Sequence, residues 1–317
     1  MSILVVSHPG DDHLEPVVGA LKRLGHEPVV LDLAGYPMHT TLALSYGDGA
    51  GDPLWLELPD GRMVDLSRCR SAWWRRPLAF TVDPAVTDPG TSAWAYNECH
   101  EAVSGLWSAL DATWVSPPQA TEAAMMKSWQ LRVAAAMGLE IPRTLITNSP
   151  REARAFVDAI GVDRTVYKAF SATVDNWRET RVLRAGELEL IDAVRYAPVI
   201  FQEFVPAAVD LRVTLIGDEV YPAAIHSQDL EYTVDFRMHL DVVRMEPTTL
   251  PGPVVAALYR LLDRMGLRYG AVDMRRTPDG RYVFLEINPA GQWIFIEEKT
   301  GQPMTDAMAR LLAAPLG

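Results

Sequence analysis

The sequence feature that most constrains the fold is segment 270–293, GAVDMRRTPDGRYVFLEINPAGQW. Two runs rich in β-forming residues, 269–274 and 281–287, flank the sequence Thr-Pro-Asp-Gly, which is typical of a tight turn. The pattern therefore predicts a β-hairpin. Asn288-Pro289 then ends the second strand, because proline cannot continue the hydrogen-bonded ladder.

Acidic side chains interrupt the second, otherwise apolar run of this hairpin. Side chains alternate between the two faces of a strand, so Glu286 and Asn288 project to one face and Leu285 to the other. A suitable register brings Asp273 of the first strand beside them. Two carboxylates and an amide oxygen form a hard ligand set, suited to Mg²⁺ when nucleotide phosphates complete its shell.

A surface hairpin with solvated acids is the alternative, and it is the commoner origin of a single Asp or Glu. Here, an ionised side chain within an apolar strand needs a partner. No Lys or Arg adjoins Glu286 in the sequence, which favours a metal ion as that partner.

Length and composition exclude several classes of protein. The chain has 317 residues, enough for about two domains, and a net charge of −12 that argues against a nucleic-acid partner. It has no apolar run of membrane-spanning length and no recognisable signal peptide. Cys69 and Cys99 lack the spacing of metal ligands, which fits a reducing compartment. We expect a cytoplasmic protein without a membrane partner.

The opening of the chain is typical of a parallel α/β unit. A short apolar strand at 3–6 precedes apolar residues at helical spacing, which Gly25 terminates, and a second strand follows at 29–33. This βαβ pattern predicts the α/β class. His13 lies in the first turn and is expected to be a polar loop residue, whereas Arg75 and Arg76 end a later strand and are expected to be solvated.

The rest of the chain alternates predicted helices and strands. The predicted helices include 119–137, 149–160, 253–265 and 303–312. The predicted strands include 144–147, 164–169, 180–184, 187–193, 199–205, 210–216 and 219–226. The strands 180–184 and 187–193 are expected to pair as a hairpin.

Several charged residues in these elements are candidates for binding a nucleotide. Lys168 interrupts a β-rich run, either as an edge-strand charge or as a point charge over a phosphate. Lys127 is a weaker candidate, because helices carry exposed lysines routinely. Alternation places Asp210 and Arg212 on one face of a strand, either as a simple surface ion pair or as ligands for ribose and a phosphoryl group.

Taken in chain order, these residues resemble the ATP-grasp superfamily. The resemblance covers 119 to the C-terminus and rests on Lys127, Lys168, Gln202-Glu203-Phe204-Val205, Asp210-Leu211-Arg212, Asp273 and Glu286-Ile287-Asn288-Pro289. The preceding βαβ unit is similar to that superfamily's usual N-terminal domain. The implied fold is α/β, with a pre-ATP-grasp domain at 1–117 and two α+β subdomains, 118–205 and 206–317, that sandwich ATP.

Within the superfamily, the chain resembles the graspetide-type ligases, which are ribosomal peptide maturases related to the microviridin ligases. The segments that carry this closer resemblance are 138–148, Ala224-Ile225-His226-Ser227-Gln228, Val234-Asp235-Phe236-Arg237 and Asn288-Pro289-Ala290-Gly291-Gln292-Trp293. Two features depart from the pattern. Met126 stands where many relatives have Asn, and the loop 171–179 lacks the glycines that usually cover the phosphates.

The resemblance also implies a role for each candidate residue. Lys127 and Lys168 contact the nucleotide phosphates. The hinge Gln202, Glu203, Phe204 and Val205 binds adenine through the backbone of Glu203 and Val205, Asp210 holds the ribose, and Asp273, Glu286 and Asn288 bind Mg²⁺. Side-chain chemistry adds three candidates: Arg212 to hold an acyl phosphate, Arg237 to grip the peptide carboxylate, since a guanidinium matches a carboxylate, and His226 as a general base or else a plain strand-end histidine.

The implied activity is ATP- and Mg²⁺-dependent ligation within a ribosomal precursor peptide that has a leader and a core rich in Thr, Asp and Glu. Asp or Glu side chains are activated as acyl phosphates and joined to Thr or Ser hydroxyls as ω-esters, or to Lys as ω-amides. The resemblance favours the ester. A homodimer is left open.

Two alternatives remain at this stage. One is a ligase on the same fold that acts on a small amino acid or on the C-terminus of a protein. The other is an ATP-binding regulatory module without chemistry, which the complete metal set and Arg212 disfavour.

Overall fold

The computed structural model describes residues 2–47, 53–170, 180–229 and 242–314. The strands in these residues are β1 Ser2–Val6, β2 Val29–Leu31, β3 Thr41–Leu44, β4 Leu54–Glu57, β5 Met63–Asp65, β6 Cys69–Trp74, β7 Thr113–Val115, β8 Thr144–Thr147, β9 Thr165–Lys168, β10 Arg181–Val182, β11 Val199–Glu203, β12 Val209–Ile216, β13 Glu219–Ile225, β14 Met245–Pro247, β15 Tyr269–Arg276 and β16 Tyr282–Asn288. The α-helices are α1 Leu14–Arg23, α2 Pro89–Ala109, α3 Pro118–Ala124, α4 Lys127–Ala136, α5 Pro150–Ile160, α6 Gly252–Met265, α7 Ile294–Thr300 and α8 Met304–Ala313.

The N-terminal part of the chain contains a parallel sheet with the order β2-β1-β6-β7. Strand β1 of this sheet is buried on both faces, as expected for a parallel sheet covered on two sides. Helix α1 and strand β2 follow β1, which confirms the predicted βαβ opening and the α/β class. A small antiparallel sheet, β3-β4-β5, lies in the same part of the chain.

Two antiparallel sheets follow. The middle sheet has the order β10-β9-β11-β8, and the C-terminal sheet has the order β14-β13-β12-β15-β16. All eight residues of β12 are buried, since it lies inside the C-terminal sheet with helices packed on both faces.

Helix α8 joins the N-terminal and C-terminal sheets into one hydrophobic core. Its buried residues Met304 and Met308 belong to the same cluster as Val5 of β1 and Ile225 of β13. The opposite face of the C-terminal sheet packs on α3, α4 and α6. The N-terminal sheet therefore shares a buried interface with the sheet that carries the predicted metal ligands.

Two element predictions are wrong. The predicted helix 119–137 is two helices, α3 and α4, and the buried Gln130 side chain donates to the Ala124 carbonyl at their break (2.6 Å). The predicted hairpin 180–193 is also incorrect. Only β10 forms, and Ala185–Tyr196 is a 3₁₀ helix. The Glu187 carboxylate accepts from the backbone N–H of Arg184 (2.9 Å), and this local cap favours a helical start over a strand.

No helix in the described ranges combines the length and the apolar character needed to cross a membrane. The domain boundaries expected at 117/118 and 205/206 stay predictions.

Candidate nucleotide and metal site

The predicted hairpin is formed by β15 and β16, and its turn has the expected chemistry. Gly280 adopts a φ of +88°, and its N–H donates to the Thr277 carbonyl (2.9 Å). Asp273 pairs directly with Glu286, whereas Met274 pairs with Phe284, so Leu285 forms a bulge. The bulge corrects the simple alternation predicted for β16, because it turns Phe284 into the core while Glu286 remains beside Asp273.

Each of the two carboxylates faces a cation from another element. Lys127 Nζ, at the start of α4, lies 2.7 Å from Glu286 Oε2, and Arg212 Nη1, on β12, lies 2.7 Å from Asp273 Oδ1. The absence of a basic neighbour of Glu286 in the sequence was therefore misleading, since the fold supplies Lys127. The four side chains form a charged row along three adjacent strands and one helix, with the two carboxylates side by side in the middle and a cation at each end.

Gln130 fixes the helix that carries Lys127. Its side-chain amide donates to the Ile287 carbonyl (2.8 Å) and accepts from the Ile287 N–H (3.2 Å). The amide thus pairs with the edge of β16 as a neighbouring strand would, and it holds α4 against that edge. The role of Gln130 could not be predicted from the sequence, because a glutamine within a helix carries no signal of a distant partner.

Arg212 is buried, and both of its Nη atoms donate to groups of this site. Its Nη2 donates to the Gln292 carbonyl (3.3 Å), and among the described residues no partner is found for its Nε. Burial opposes the charged form, but the carboxylate of Asp273 outweighs it and raises the pKa of Arg212. The guanidinium is therefore a fixed positive charge with an unsatisfied donor.

The loop after β16 continues the site. Asn288 Oδ1 accepts from the Ala290 N–H (3.0 Å), and the Asn288 side chain is exposed. A Cβ on Gly291 would lie 2.4 Å from the Ala271 Cβ and 3.0 Å from Arg212 Nη2. Only glycine allows this loop to approach the sheet so closely.

The N-terminal sheet contributes a buried ionic cluster that touches this loop. Arg75 donates from Nε to both carboxylate oxygens of Asp11 (3.1 Å each) and from Nη1 to the Gly291 carbonyl (2.8 Å). His13 Nε2 accepts from the Trp293 N–H (2.9 Å). The expectation of a solvated Arg75 is therefore wrong, and His13, although it lies in the turn before α1 as expected, is buried. Both are 1% exposed, because the loop after β16 covers them.

The predicted hinge residues lie at the end of β11. The Glu203 N–H donates to the Arg143 carbonyl and the Phe204 N–H to the Arg164 carbonyl (2.8 Å each), while Gln202 donates to Thr144 Oγ1 (2.9 Å). Lys168 ends β9, opposite Ile200 of β11. These residues share the middle sheet, whereas the paired carboxylates lie on the C-terminal sheet.

Asp210 is buried in an ion pair with Arg275 of β15. Arg275 Nε donates to Asp210 Oδ1 (2.7 Å), and the Ser227 hydroxyl donates to Asp210 Oδ2. Arg275 Nη1 also donates to the Val205 carbonyl at the hinge (2.7 Å). The alternative of a surface pair between Asp210 and Arg212 is therefore excluded, and the ribose role of Asp210 stays a prediction.

His226 lies between two charged side chains. Arg244 Nη2 donates to its Nδ1 (2.9 Å), so the ring proton lies on Nε2 and faces Glu246 Oε1 (2.9 Å). A guanidinium can only donate, which leaves the ring no lone pair for a substrate unless Arg244 moves. Arg237 and the loop 171–179 lie outside the described residues.

The donor set fits Mg²⁺ bound together with a nucleotide. The described residues contain no cluster of three or more His, Cys, Asp or Glu side chains that could hold a metal ion alone. Asp273 and Glu286 are oxygen donors already neutralised by Arg212 and Lys127, so a divalent cation alone adds uncompensated positive charge. Phosphate anions restore the balance, because both cations can then face phosphate oxygens.

Comparison with known proteins identifies chains of similar sequence and fold. Residues 2–122 match the family model described as the MvdD pre-ATP grasp domain. The structure is similar to the macrocyclase MdnC of Microcystis aeruginosa MRC, solved with its precursor peptide MdnA, at 28% identity and a TM-score of 0.86, covering 99% of this chain and 100% of that chain. It is also similar to a RiPP-associated ATP-grasp ligase of Chryseobacterium gregarium, solved with ADP and a leader and core peptide, at 28% identity and a TM-score of 0.89, covering 99% and 98%.

A more distant similarity links the chain to protein-modifying ligases. Over 190 residues it is 30% identical to the ribosomal protein bS6–L-glutamate ligase of Escherichia coli O7:K1, and the match covers 57% of this chain. The chain spans only about 60% of the length of that curated relative. The family model and the whole-chain structural matches together show an ATP-grasp fold with a pre-ATP-grasp domain at its N-terminus, and over its whole length the chain is similar to ATP-grasp ligases of the graspetide-maturase type.

Proposed function

We propose that this protein is an ADP-forming ligase that closes rings in a ribosomal precursor peptide. The observation that carries the proposal is the whole-chain similarity to two ligases solved with precursor, leader or core peptides. The match to the glutamate ligase supports the same activation chemistry but covers a smaller part of the chain.

The reaction joins two side chains of one peptide. A carboxylate of Asp or Glu takes the γ-phosphoryl group of ATP, which gives an acyl phosphate and ADP. The oxygen of a Thr or Ser hydroxyl then attacks the acyl carbon, phosphate leaves, the hydroxyl proton passes to a base, and an ω-ester results. A Lys amine gives an ω-amide by the same path.

The residues of this chain supply positive charge and fixed geometry for that transfer. Lys127 and Lys168 are proposed to contact the nucleotide phosphates, and Arg212 to hold the acyl phosphate. Arg212 suits this role because it is buried, charged and retains an unsatisfied Nε donor among the described contacts. Most of the rate enhancement is then positioning and electrostatic stabilisation.

Asp273, Glu286 and Asn288 are proposed to hold Mg²⁺, which neutralises charge on the transferring phosphoryl group. Adenine is assigned to the backbone of Glu203 and Val205, beside Gln202 and Phe204, and ribose to Asp210. Arg237 is proposed to grip the peptide carboxylate. His226 remains the candidate base, and this role requires Arg244 to move away from its Nδ1.

The test is to incubate the enzyme with ATP, Mg²⁺ and a peptide that has a leader and a core rich in Thr, Asp and Glu, and to follow its mass. Each bond formed removes one water, and mild base reopens esters but leaves amides intact. The proposal fails if the peptide keeps its mass while ATP is consumed with free amino acids.

A second candidate is the ligation of glutamate to a protein, which the name of the curated relative favours, with the protein C-terminus as the proposed acceptor. Incubation with free glutamate separates the two functions, because this reaction increases the mass of the acceptor whereas ring closure decreases it.

A further inference from the structure

Arg75 of the N-terminal part of the chain reaches the loop that follows the metal-binding strand. We propose that Arg75 is a positioning residue for the metal site, acting through the carbonyls of Ala290 and Gly291 on the loop 289–293. The inference rests on the proposed assignment of Asp273, Glu286 and Asn288 to Mg²⁺.

Burying the Arg75 guanidinium costs more free energy than packing an apolar side chain at the same place would. The Arg75 side chain is 1% exposed, and a buried guanidinium loses its hydration. The ion pair with Asp11 and two aromatic faces, Trp293 at 5.4 Å and Trp73 at 5.9 Å, offset that loss. An apolar side chain would fill this space at lower cost, whereas an arginine adds directed hydrogen bonds.

Those hydrogen bonds end on the loop. Arg75 Nη1 donates to the Ala290 carbonyl (3.0 Å) and to the Gly291 carbonyl (2.8 Å). The hydroxyl of Tyr269 donates to the same Gly291 carbonyl (2.7 Å). Two donors from different sheets therefore fix one peptide group, three residues after Asn288.

The loop then connects Arg75 to the charged row of the site. Arg212 Nη2 donates to the Gln292 carbonyl, and Arg212 Nη1 holds Asp273. The Gly291 N–H also donates to the Asn288 carbonyl (3.2 Å). A shift of the loop therefore moves both Asn288 and the guanidinium beside Asp273.

The place of Arg75 in the fold supports this role. Arg75 directly follows β6, and Asp11 and His13 lie in the turn after β1, so all three occupy the carboxyl-terminal edge of a parallel sheet. That edge is where open parallel sheets usually bind ligands. Here it binds the loop 289–293 instead, so this edge supports the site on the neighbouring sheet.

The test compares Arg75→Met with Ser71→Ala, a matched control. Ser71 lies on β6, is buried, and donates to the Leu312 carbonyl of α8 (2.6 Å), so it crosses the same interface without touching the loop. Full-length variants are titrated with Mg²⁺ in the presence of a non-hydrolysable ATP analogue, and their thermal unfolding is measured. We expect Arg75→Met to weaken apparent Mg²⁺ affinity about 10-fold or more and Ser71→Ala to leave it unchanged. Arg75→Lys should restore part of the affinity, since an ammonium group keeps the positive charge but lacks the planar set of N–H donors of the guanidinium.

A folded Arg75→Met protein with wild-type Mg²⁺ affinity would overturn the inference. Should that variant fail to fold, Tyr269→Phe removes only the second donor to the Gly291 carbonyl and should lower the affinity less. Wild-type Mg²⁺ affinity in a folded Arg75→Lys protein, which keeps the buried charge but not the hydrogen bonds of the guanidinium, then overturns the inference. The readout needs no peptide, so a wild-type enzyme that binds Mg²⁺ with nucleotide but closes no ring refutes the proposed function alone. A wild-type protein that binds no Mg²⁺ with nucleotide refutes the metal site and the positioning role together.

Discussion

Lys127 Nζ lies 2.7 Å from Glu286 Oε2, although 159 residues separate them in the chain. The pair is partly exposed, with 23% and 21% of the two side chains accessible. Beside it, Arg212 binds Asp273 in the same manner. The acids proposed to bind Mg²⁺ are thus neutralised in the absence of nucleotide, so we expect Mg²⁺ to bind tightly only when phosphates are present.

Replacing Glu286 tests the metal assignment. Glu286→Gln keeps the shape but removes a charged ligand, and we expect ADP release to fall by about 100-fold or more. The free energy of unfolding should change by no more than about 1 kcal/mol, because the ion pair with Lys127 is partly solvated. Glu140→Gln, which breaks an exposed pair with Arg281 on the same hairpin, is the control and should keep wild-type turnover. Wild-type ADP release from Glu286→Gln would show that the metal assignment is wrong.

Lys168 tests the placement of the nucleotide. We expect Lys168→Ala to weaken binding of a non-hydrolysable ATP analogue about 10-fold, since a positive charge beside the phosphates is lost. Arg154→Ala, the control, removes an exposed ion pair with Asp192 near the same sheet and should bind the ATP analogue with wild-type affinity. Calorimetric titration of both variants decides, and equal affinities contradict the assignment.

Gly291 tests the close approach of the loop. Gly291→Ala places a Cβ against Ala271 and Arg212, so we expect a loss of about 2 kcal/mol or more in unfolding free energy and a large loss of turnover. Gly105→Ala, within α2 where nothing lies within 4 Å, should leave stability equal or increase it by up to about 1 kcal/mol. Denaturant melts of the two variants provide the comparison. Equal stability would exclude the tight packing.

Gln130 tests the pairing between α4 and β16. Gln130→Leu has a similar size but leaves the Ile287 N–H and carbonyl without a partner, which should cost about 2 kcal/mol or more. ATP turnover should also fall, because Lys127 lies one turn earlier. Gln119→Leu removes an exposed amide bonded to Ser108 and should change stability by less than about 0.5 kcal/mol. A Gln130→Leu protein as stable as Gln119→Leu contradicts this role.

His13 predicts a pH dependence of stability. Burial lowers the pKa of His13 from its usual 6.5, and a protonated ring has no lone pair for the Trp293 N–H at Nε2 or for Arg75 Nη2 at Nδ1. Below about pH 6.5, His13 is protonated in the unfolded chain but stays neutral in the folded protein. The free energy of unfolding therefore decreases as the pH falls. His13→Gln keeps an acceptor and should flatten the decline between about pH 7 and about pH 5. Chemical denaturation across that range measures the slope, and identical slopes would remove His13 as its source.

Interactions between residues close together in the chain were sufficient to predict most of the helices, strands and turns. The turn at Gly280, the cap at Ser149, whose hydroxyl accepts from the Glu152 N–H (3.4 Å), and the βαβ opening all follow from residues close together in the chain. Alternation along a strand likewise placed Glu286 toward Asp273, because the two strands of a hairpin are joined by a short turn. These features need no distant partner, so the sequence alone predicts them.

Only the tertiary structure decided which side chains are neutralised, buried and connected. Lys127, Gln130 and Arg75 reach the hairpin from elements between about 150 and 220 residues away, and only the packing of sheets and helices brings them there. The bulge at Leu285 is set by the register between β15 and β16, and it overrides simple alternation. A charged residue has the same appearance in the sequence whether it is solvated or buried, because the loss of its water depends on what packs against it.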